Sequence, residues 1–408
     1  MSPQLLRNSA WVIGGKIVIF GISFAFITAL ANIAPTEVAG SFQYIMATLA
    51  IVSIFTLPGM NTALVRAVSR NFEGSIRSMM RMRLTFGLIG STIGIVIGCW
   101  YLSINQTLLG YAFLLSSLFV PFTDTWSEMT YSFFQGRKQF GKAILLALLC
   151  QFLFSIPSII ILTQSNNLII VAGSFFLFQA LAGYFVYLFV KPINLIKDHE
   201  SEKLGFHLTT IGALRTIATN IDRVIVFQLL GPLSVAIYTF AAIPIMKLEQ
   251  LIPIEMLALP DLTNQVLTLE LRKKLFIRML LLLLVIIPVI IVGVILTPFV
   301  FGILFPKFPE SIPLFQVLMT GLIFSPFLLL KTGFTAWGRK RELYISETFS
   351  QLSRIVLMVI FGYLFGIYGI IAGIILSKLL ESMMIAFLFA HIKTPPQKEA
   401  VPEKTSAN

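Results

Sequence analysis

Lysine and arginine fall in alternate gaps between twelve apolar stretches of this chain, and that alternation constrains the fold more than any motif does. Of the 30 basic residues, 22 lie in every second gap or at the two ends. Short loops rich in Lys and Arg resist translocation and stay on the cytoplasmic side of a membrane. The pattern predicts a multi-pass protein of the bacterial inner (cytoplasmic) membrane with both termini inside.

A span needs roughly 20 apolar residues. Stretches of that kind are read at 10–33, 38–64, 84–103, 109–134, 143–163, 168–190, 208–230, 235–257, 276–299, 312–335, 344–365 and 369–391. The gap at 65–83 holds Arg66, Arg70, Arg77, Arg81 and Arg83. Later basic gaps hold Arg137, Lys138 and Lys142, then Lys191, Lys197 and Lys203, then Arg272, Lys273, Lys274 and Arg278, then Arg339, Lys340 and Arg341. The gaps between them hold only Lys307. Charged residues make up 12% of the chain, against about 25% in a soluble domain. The net charge of +12 is therefore read as topology plus attraction to anionic lipid, with no nucleic-acid partner.

Several classes are set aside. The first apolar run has no small-residue cleavage site after it and reads as a retained helix. Cys99 and Cys150 both fall inside predicted helices, so no disulfide framework is expected. His199, His207 and His391 sit near helix ends and form no metal-ligand cluster. No Walker loop or nucleophile–base pair is present, so neither a cofactor nor an enzyme is expected.

The chain also resembles itself. Pro35-Thr36-Glu37-Val38-Ala39 after the first stretch matches Pro232-Leu233-Ser234-Val235-Ala236 after the seventh, at an offset of 197. Gln135-Gly136-Arg137-Lys138 matches Trp337-Gly338-Arg339-Lys340 at 202, and Ile170-Val171-Ala172-Gly173 matches Ile370-Ile371-Ala372-Gly373 at 200. Six stretches per half is an even number, so the halves are parallel repeats related by an axis along the membrane normal. The expected layout is an all-α membrane protein of 12 helices. It has an N-lobe at 1–190, a cytoplasmic linker at 191–207, a C-lobe at 208–392 and a disordered tail at 393–408, with a central cavity. Two such lobes can rock to open on alternate sides.

Asn220-Ile221-Asp222-Arg223, Leu230-Gly231-Pro232 and Val235-Ala236-Ile237-Tyr238 resemble the start of the second lobe in polysaccharide flippases. Those are the polysaccharide-transporter branch of the multidrug/oligosaccharidyl-lipid/polysaccharide exporter superfamily. Gly136-Arg137-Lys138 and Gly366-Ile367-Tyr368-Gly369 are similar to that family too. The resemblance covers most of 1–390. It implies export of an O-antigen or exopolysaccharide repeat unit carried on undecaprenyl pyrophosphate, with polymerase or assembly partners.

Charges inside the apolar stretches need a partner or a water-filled cavity, because an ion at the bilayer centre costs at least about 2.5–3.5 kcal/mol. Seven are basic (Lys16, Arg215, Arg223, Lys247, Lys331, Arg354, Lys378) and seven acidic (Asp124, Glu128, Asp222, Glu249, Glu255, Glu347, Glu381). Lys16, Lys331 and Glu255 lie near a boundary, where long side chains snorkel. Arg215, Thr219 and Asp222 share a helix face, with Arg223 about 100° round. Glu347 and Arg354 share another, and Lys378 and Glu381 are spaced as an intrahelical pair. Lys247 sits between Pro244 and Pro253, where kinks open the backbone. One reading is local charge networks. The other is a pyrophosphate site made of Arg215, Arg223, Lys247 and Arg354, with Lys16 opposite, since Arg offers a planar fork of donors.

Asp124 and Glu128 are one turn apart, and two close carboxylates disfavour joint ionisation. That suits a coupling proton or sodium ion, with Asp222 as the rival site; the bland alternative is that both neutralise basic groups of other helices. Two further readings stand beside the flippase. One is a cation-coupled multidrug exporter of the same superfamily, and the other is a membrane enzyme acting on the same carrier.

Overall fold

The computed structural model describes residues 3–251, 258, 262, 265 and 267–392, with the side chains of 3–13, 250, 251 and 340 left aside. The described residues are helical and carry no strand. The chain is a multi-pass membrane protein. Nine helices among the described residues are long and apolar enough to cross a membrane. Lipid-facing character is plain on the helix Leu269–Leu304, where Leu284, Ile295 and Phe299 stand 72%, 69% and 70% exposed.

In chain order the helices are α1 (Pro3–Ile33), α2 (Thr36–Val52), α3 (Met60–Ser69), α4 (Ser75–Ser103), α5 (Thr107–Ser117), α6 (Thr123–Gly136), α7 (Phe140–Gln164), α8 (Leu168–Tyr187), α9 (His199–Leu251), α10 (Leu269–Leu304), α11 (Ser311–Thr320), α12 (Leu328–Ala336) and α13 (Lys340–His391). Short 3-10 turns follow α2 at Ser53–Thr56 and α11 at Gly321–Phe327.

Three of the predicted spans are not continuous. The stretch 38–64 is α2, a 3-10 turn and α3; 109–134 is α5 and α6; 312–335 is α11, a 3-10 turn and α12. Each interruption contains a proline, Pro58, Pro121 or Pro326. Proline lacks the N–H of the helical ladder and its ring clashes with the carbonyl of residue i−4. Apolar residues run straight through the breaks, so hydropathy alone joins the pieces. Asp124, well inside the predicted stretch 109–134, consequently lies in the first turn of α6.

Two helices are longer than any single pass. Fifty-one residues, as in His199–Glu249 and Arg341–His391, would run about 77 Å, far beyond a hydrocarbon core of about 30 Å. Each breaks at a glycine in a conformation closed to other residues: Gly231 with φ 80° and Gly366 with φ 64°. The halves fold back on each other. Tyr238 Oη donates to Asp222 Oδ2 at 2.6 Å across the first bend. Gly369 lies so close to the Phe361 carbonyl across the second that a Cβ would have no room.

Two compact units result, residues 1–240 with 301–310, and 241–300 with 311–408. The first is cored by Met60, Leu64, Met79, Phe133 and Phe134, all fully buried. The N-terminal half of α9 packs within it: Gly59 N–H donates to Thr209 Oγ1 at 3.0 Å, and Gln228 Nε2 donates to Tyr44 Oη and Tyr101 Oη at 3.1 and 2.9 Å. The second unit is cored by Leu275, Leu330, Phe334 and Phe389.

Residues 199–207 are helical, because Asp198 caps α9: its Oδ1 accepts from the Glu200 and Ser201 N–H groups at 3.1 and 3.3 Å. The non-helical connection before it is strapped to the first unit. Glu73 receives Arg137 Nε and Nη2 at 2.7 and 2.6 Å and the Ile193 N–H at 2.6 Å. Arg137 Nη2 also donates to the Lys191 carbonyl at 2.8 Å.

The internal repeat is visible in backbone detail. At the end of α6, Gln139 N–H reaches Phe134 O and Lys138 adopts φ 60°; at the end of α12, Arg339 N–H reaches Phe334 O and Gly338 adopts φ 62°. The same left-handed helix stop therefore recurs at an offset of 200. The sequence match at 202 is two residues out of register, drawn by Gly136 onto Gly338, whereas the residue equivalent to Gly338 is Lys138.

Candidate functional site

The first unit encloses a cavity of about 550 Å³ lined by residues of α1, α3, α6, α7 and α8. Arg83 organises its charged end. This side chain is fully buried, two turns inside α4, although from sequence it reads as one of the loop charges that set topology. The helix begins at Ser75, nine residues before the apolar stretch does, and that draws Arg83 indoors. Its Nε donates to the Thr56 carbonyl at 2.8 Å, its Nη1 to Asn61 Oδ1, and its Nη2 to Glu128 Oε2 at 3.1 Å. The carbonyl of Thr56 belongs to the 3-10 turn after α2, so the interrupted helix supplies an acceptor for the buried arginine.

Asn61 Nδ2 also donates to Glu128, at 2.5 Å. Asp124, on the same face one turn earlier, receives Gln179 Nε2 at 2.8 Å. Asp124 and Glu128 thus meet in one cavity, as their spacing predicted. Glu128 is neutralised by a basic group of another helix, which is the blander of the two readings. Asp124 is answered by an amide. The remaining polar wall consists of Tyr131, Gln135 and Gln151. Gln151 Nε2 donates to Ser23 Oγ and Ser155 Oγ at 3.1 and 3.0 Å. None of these amides is singled out by the sequence reading. The signal available is their position: glutamines in otherwise apolar helices face something polar.

A second cavity, of about 210 Å³, lies within the second unit. Lys331 Nζ bridges Glu347 Oε1 at 2.9 Å and Glu381 Oε1 at 3.2 Å, and Lys378 Nζ donates to Glu249 Oε1. This corrects two expectations. Lys378 and Glu381 do not pair with each other; each is taken by a different helix. Lys331 does not snorkel, because two carboxylates hold it inward at 14% exposure. Glu347 is likewise paired with Lys331.

The predicted cations fall in both units. Lys16 and Arg215 are exposed on α1 and α9, and Arg223 is half-buried. These three belong to the first unit, whereas Lys247 and Arg354, both half-buried, belong to the second. Asp222 is buried and accepts Tyr238 across the helical bend. Glu255 and the tail at 393–408 lie outside the described residues.

A family model described as polysaccharide biosynthesis protein matches residues 5–259. The chain belongs to that family. Its fold is that of transporters of the MOP superfamily, as the motifs around Asp222 and Gly231 suggested. A solved structure titled lipid II flippase MurJ, inward closed conformation, superposes with a TM-score of 0.71 at 15% identity, covering 94% of this chain and 87% of the other. An inward-facing multidrug resistance MATE family transporter gives 0.65 at 14%, covering 90% and 93%. A MOP superfamily transporter from Pyrococcus furiosus, whose title reports reversed polarity of its binding pocket, gives 0.57 at 16%, covering 94% of each chain. No curated protein matches the sequence. These structural neighbours are, by their titles, transporters or a flippase.

Proposed function

We propose that this chain is a flippase carrying a polyprenyl-pyrophosphate-linked oligosaccharide across the bacterial inner membrane during polysaccharide biosynthesis. The observation that carries this reading is a cavity of about 550 Å³ that membrane helices line with amides, hydroxyls and carboxylates in a member of the polysaccharide biosynthesis family. The reading includes 12 passes in two parallel six-helix lobes, 1–190 and 208–392, joined by the linker 191–207 and ending in the tail 393–408, with both termini cytoplasmic. Folding α9 and α13 back at Gly231 and Gly366 supports that count.

The pyrophosphate is assigned to Arg215, Arg223, Lys247, Arg354 and Lys16, because a pyrophosphate needs fixed positive charge and several donors, which arginine offers in a planar fork. Asp124 is the strongest coupling site for a proton or sodium ion, with Glu128 and Asp222 in support. Alternating access moves the substrate, and the protein makes and breaks no bond in it. The test is translocation of a labelled polyprenyl-pyrophosphate oligosaccharide in reconstituted vesicles. Protein-dependent exposure on the far leaflet that Arg223→Ala lowers at least tenfold supports the reading. No exposure defeats it.

A second reading, a cation-coupled drug exporter, draws on one observation: two carboxylates, Asp124 and Glu128, line the first cavity, and Arg83 pairs with Glu128 while Asp124 is answered by the Gln179 amide. Ion-driven uptake of organic cations in the same vesicles, without movement of the lipid-linked sugar, would select it.

A further inference from the structure

The wall of the first cavity is chemically unlike the charge cluster at its end. Gln135, Gln151, Gln179 and Asn61 put four amides around the space, and Tyr131 adds an aromatic face with a hydroxyl. Each amide offers both donors and acceptors. Placing four of them in the interior of a helical membrane protein is costly unless each finds a partner. Their polar atoms are only partly used within the protein: the amide N–H groups of Gln151 and Gln179 go to Ser23, Ser155 and Asp124, and their amide oxygens accept no hydrogen bond among the described residues.

Three ligand classes can be weighed against this wall. Phosphate and pyrophosphate need uncommitted positive charge, and here Arg83 is spent on Glu128, Asn61 and Thr56. A lipophilic drug prefers a wall that is mostly apolar with few polar groups. A sugar presents hydroxyls that both donate and accept around a ring with apolar faces. It matches alternating amide donors and acceptors, a carboxylate that accepts from hydroxyls, and a tyrosine face. The volume, about 550 Å³, lies within the range of about 300–1,000 Å³ found for small-molecule sites.

We propose that this cavity is a sugar subsite, in which Gln135, Gln151, Gln179 and Asp124 hydrogen-bond the hydroxyls of a neutral glycan unit packed against Tyr131. The proposal deepens the flippase reading and rests on it. It separates the substrate's recognition into a glycan part, read in the first unit, and a pyrophosphate part, read by the cations assigned to it.

Ala147 lines the same cavity, as does Cys150, so a thiol there reports occupancy. In a Cys99→Ser, Cys150→Ser background, Ala147→Cys is labelled with a small thiol reagent in the presence of glucose, galactose, rhamnose or N-acetylglucosamine at high millimolar concentration. Inorganic pyrophosphate and tetraphenylphosphonium serve as the rival probes. At least one sugar should slow labelling several-fold, the two rivals should leave the rate unchanged, and Gln151→Leu should remove the sugar protection. Protection by tetraphenylphosphonium or pyrophosphate in place of the sugars, or no protection by any sugar, overturns the proposal. If the cysteine variant fails to fold or to react, calorimetry of the same probes on the wild-type protein decides between these outcomes. Failure of the flippase reading shows up separately, as wild-type vesicles that move no lipid-linked glycan while sugar protection persists.

Discussion

The interrupted spans α5–α6 and α11–α12 are alike in backbone and carry opposite charge. Both are broken near a proline, Pro121 or Pro326, and both end in the same left-handed stop 200 residues apart. On α6 the charged groups are carboxylates, Asp124 and Glu128, and the cation that answers them, Arg83, comes from α4. On α12 the charged group is the cation Lys331, and the carboxylates that answer it, Glu347 and Glu381, come from α13. The repeat therefore specifies where the backbone breaks and stops, and leaves the sign of the interior charge free. A broken helix inside a membrane frees backbone groups that need partners, so polar side chains gather at the break whatever their sign.

The largest effect should come from Arg83→Met. It removes a fully buried guanidinium that donates to the Thr56 carbonyl, Asn61 and Glu128 at once, and losing such a set costs about 3–5 kcal/mol, the range for a broken buried pair. The measurement is thermal unfolding in detergent. The double variant Arg83→Met, Glu128→Leu should recover a good part of the loss; no recovery would show that the arginine acts mainly through Thr56 and Asn61. Lys331→Met tests the inverted partner. It should cost about 2–3 kcal/mol, at or below the lower end for a broken buried pair, because Lys331 answers only the two carboxylates, whereas Arg83 also satisfies the Thr56 carbonyl and Asn61. Equal losses would erase the distinction between the two interiors.

The basic-gap alternation and the apolar stretches are enough to read a multi-pass helical membrane protein, and the motifs around Asp222 and Gly231 carry the resemblance to its family. The breaks at Pro58, Pro121 and Pro326 are written in the sequence but hidden by unbroken hydropathy. The site is legible in part. Asp124 and Glu128 meet because residues four apart share a face. Their answering cation escapes a sequence reading because Arg83 sits next to Arg77 and Arg81 and looks like one more topology charge; only the early start of α4 at Ser75 turns it inward. Lys378 and Glu381 show the opposite failure. Their spacing permits a pair, but Glu249 and Lys331 on other helices stand closer, and sequence spacing carries no information about such neighbours.

The loops sharpen the same contrast. At the end of α6 stands Arg137, held by Glu73; at the equivalent place after α12 stands Trp337, whose Nε1 donates to the Gln265 carbonyl at 2.9 Å. One strap is ionic and the other neutral. The Glu73 carboxyl is held below its ordinary pKa by its hydrogen bonds from Arg137, assisted by the Ile193 N–H against the opposing effect of burial. Asp198 is lowered in the same direction, chiefly by Ser201. A depressed carboxylate contributes stability that is complete above its unfolded pKa, about 4, and lost as pH falls through the lower folded value. Acid should therefore release residues 188–198 to hydrogen exchange at pH below about 4 while leaving Trp337 fluorescence unchanged. Glu73→Gln should raise exchange there at neutral pH, at a cost of about 1–3 kcal/mol for charged hydrogen bonds lost. Release of both straps together by acid would mean that the pH response is global rather than local.

The smallest effect is the cleanest test of the repeat, because it needs no cavity and no charge. Lys138 and Gly338 occupy the same left-handed position, with φ 60° and 62°. A side chain there costs roughly 1–2 kcal/mol, and glycine avoids that cost while giving some of it back through a looser unfolded chain. Lys138→Gly should therefore stabilise the first unit by about 0.5–1 kcal/mol, and Gly338→Lys should destabilise the second by a similar amount. The two swaps should be opposite in sign and close to additive, since they lie in different compact units and share no partner. If both substitutions destabilise, Lys138 holds its turn through its side chain rather than against it, and the offset of 200 describes a likeness of hydrogen bonding without a likeness of strain.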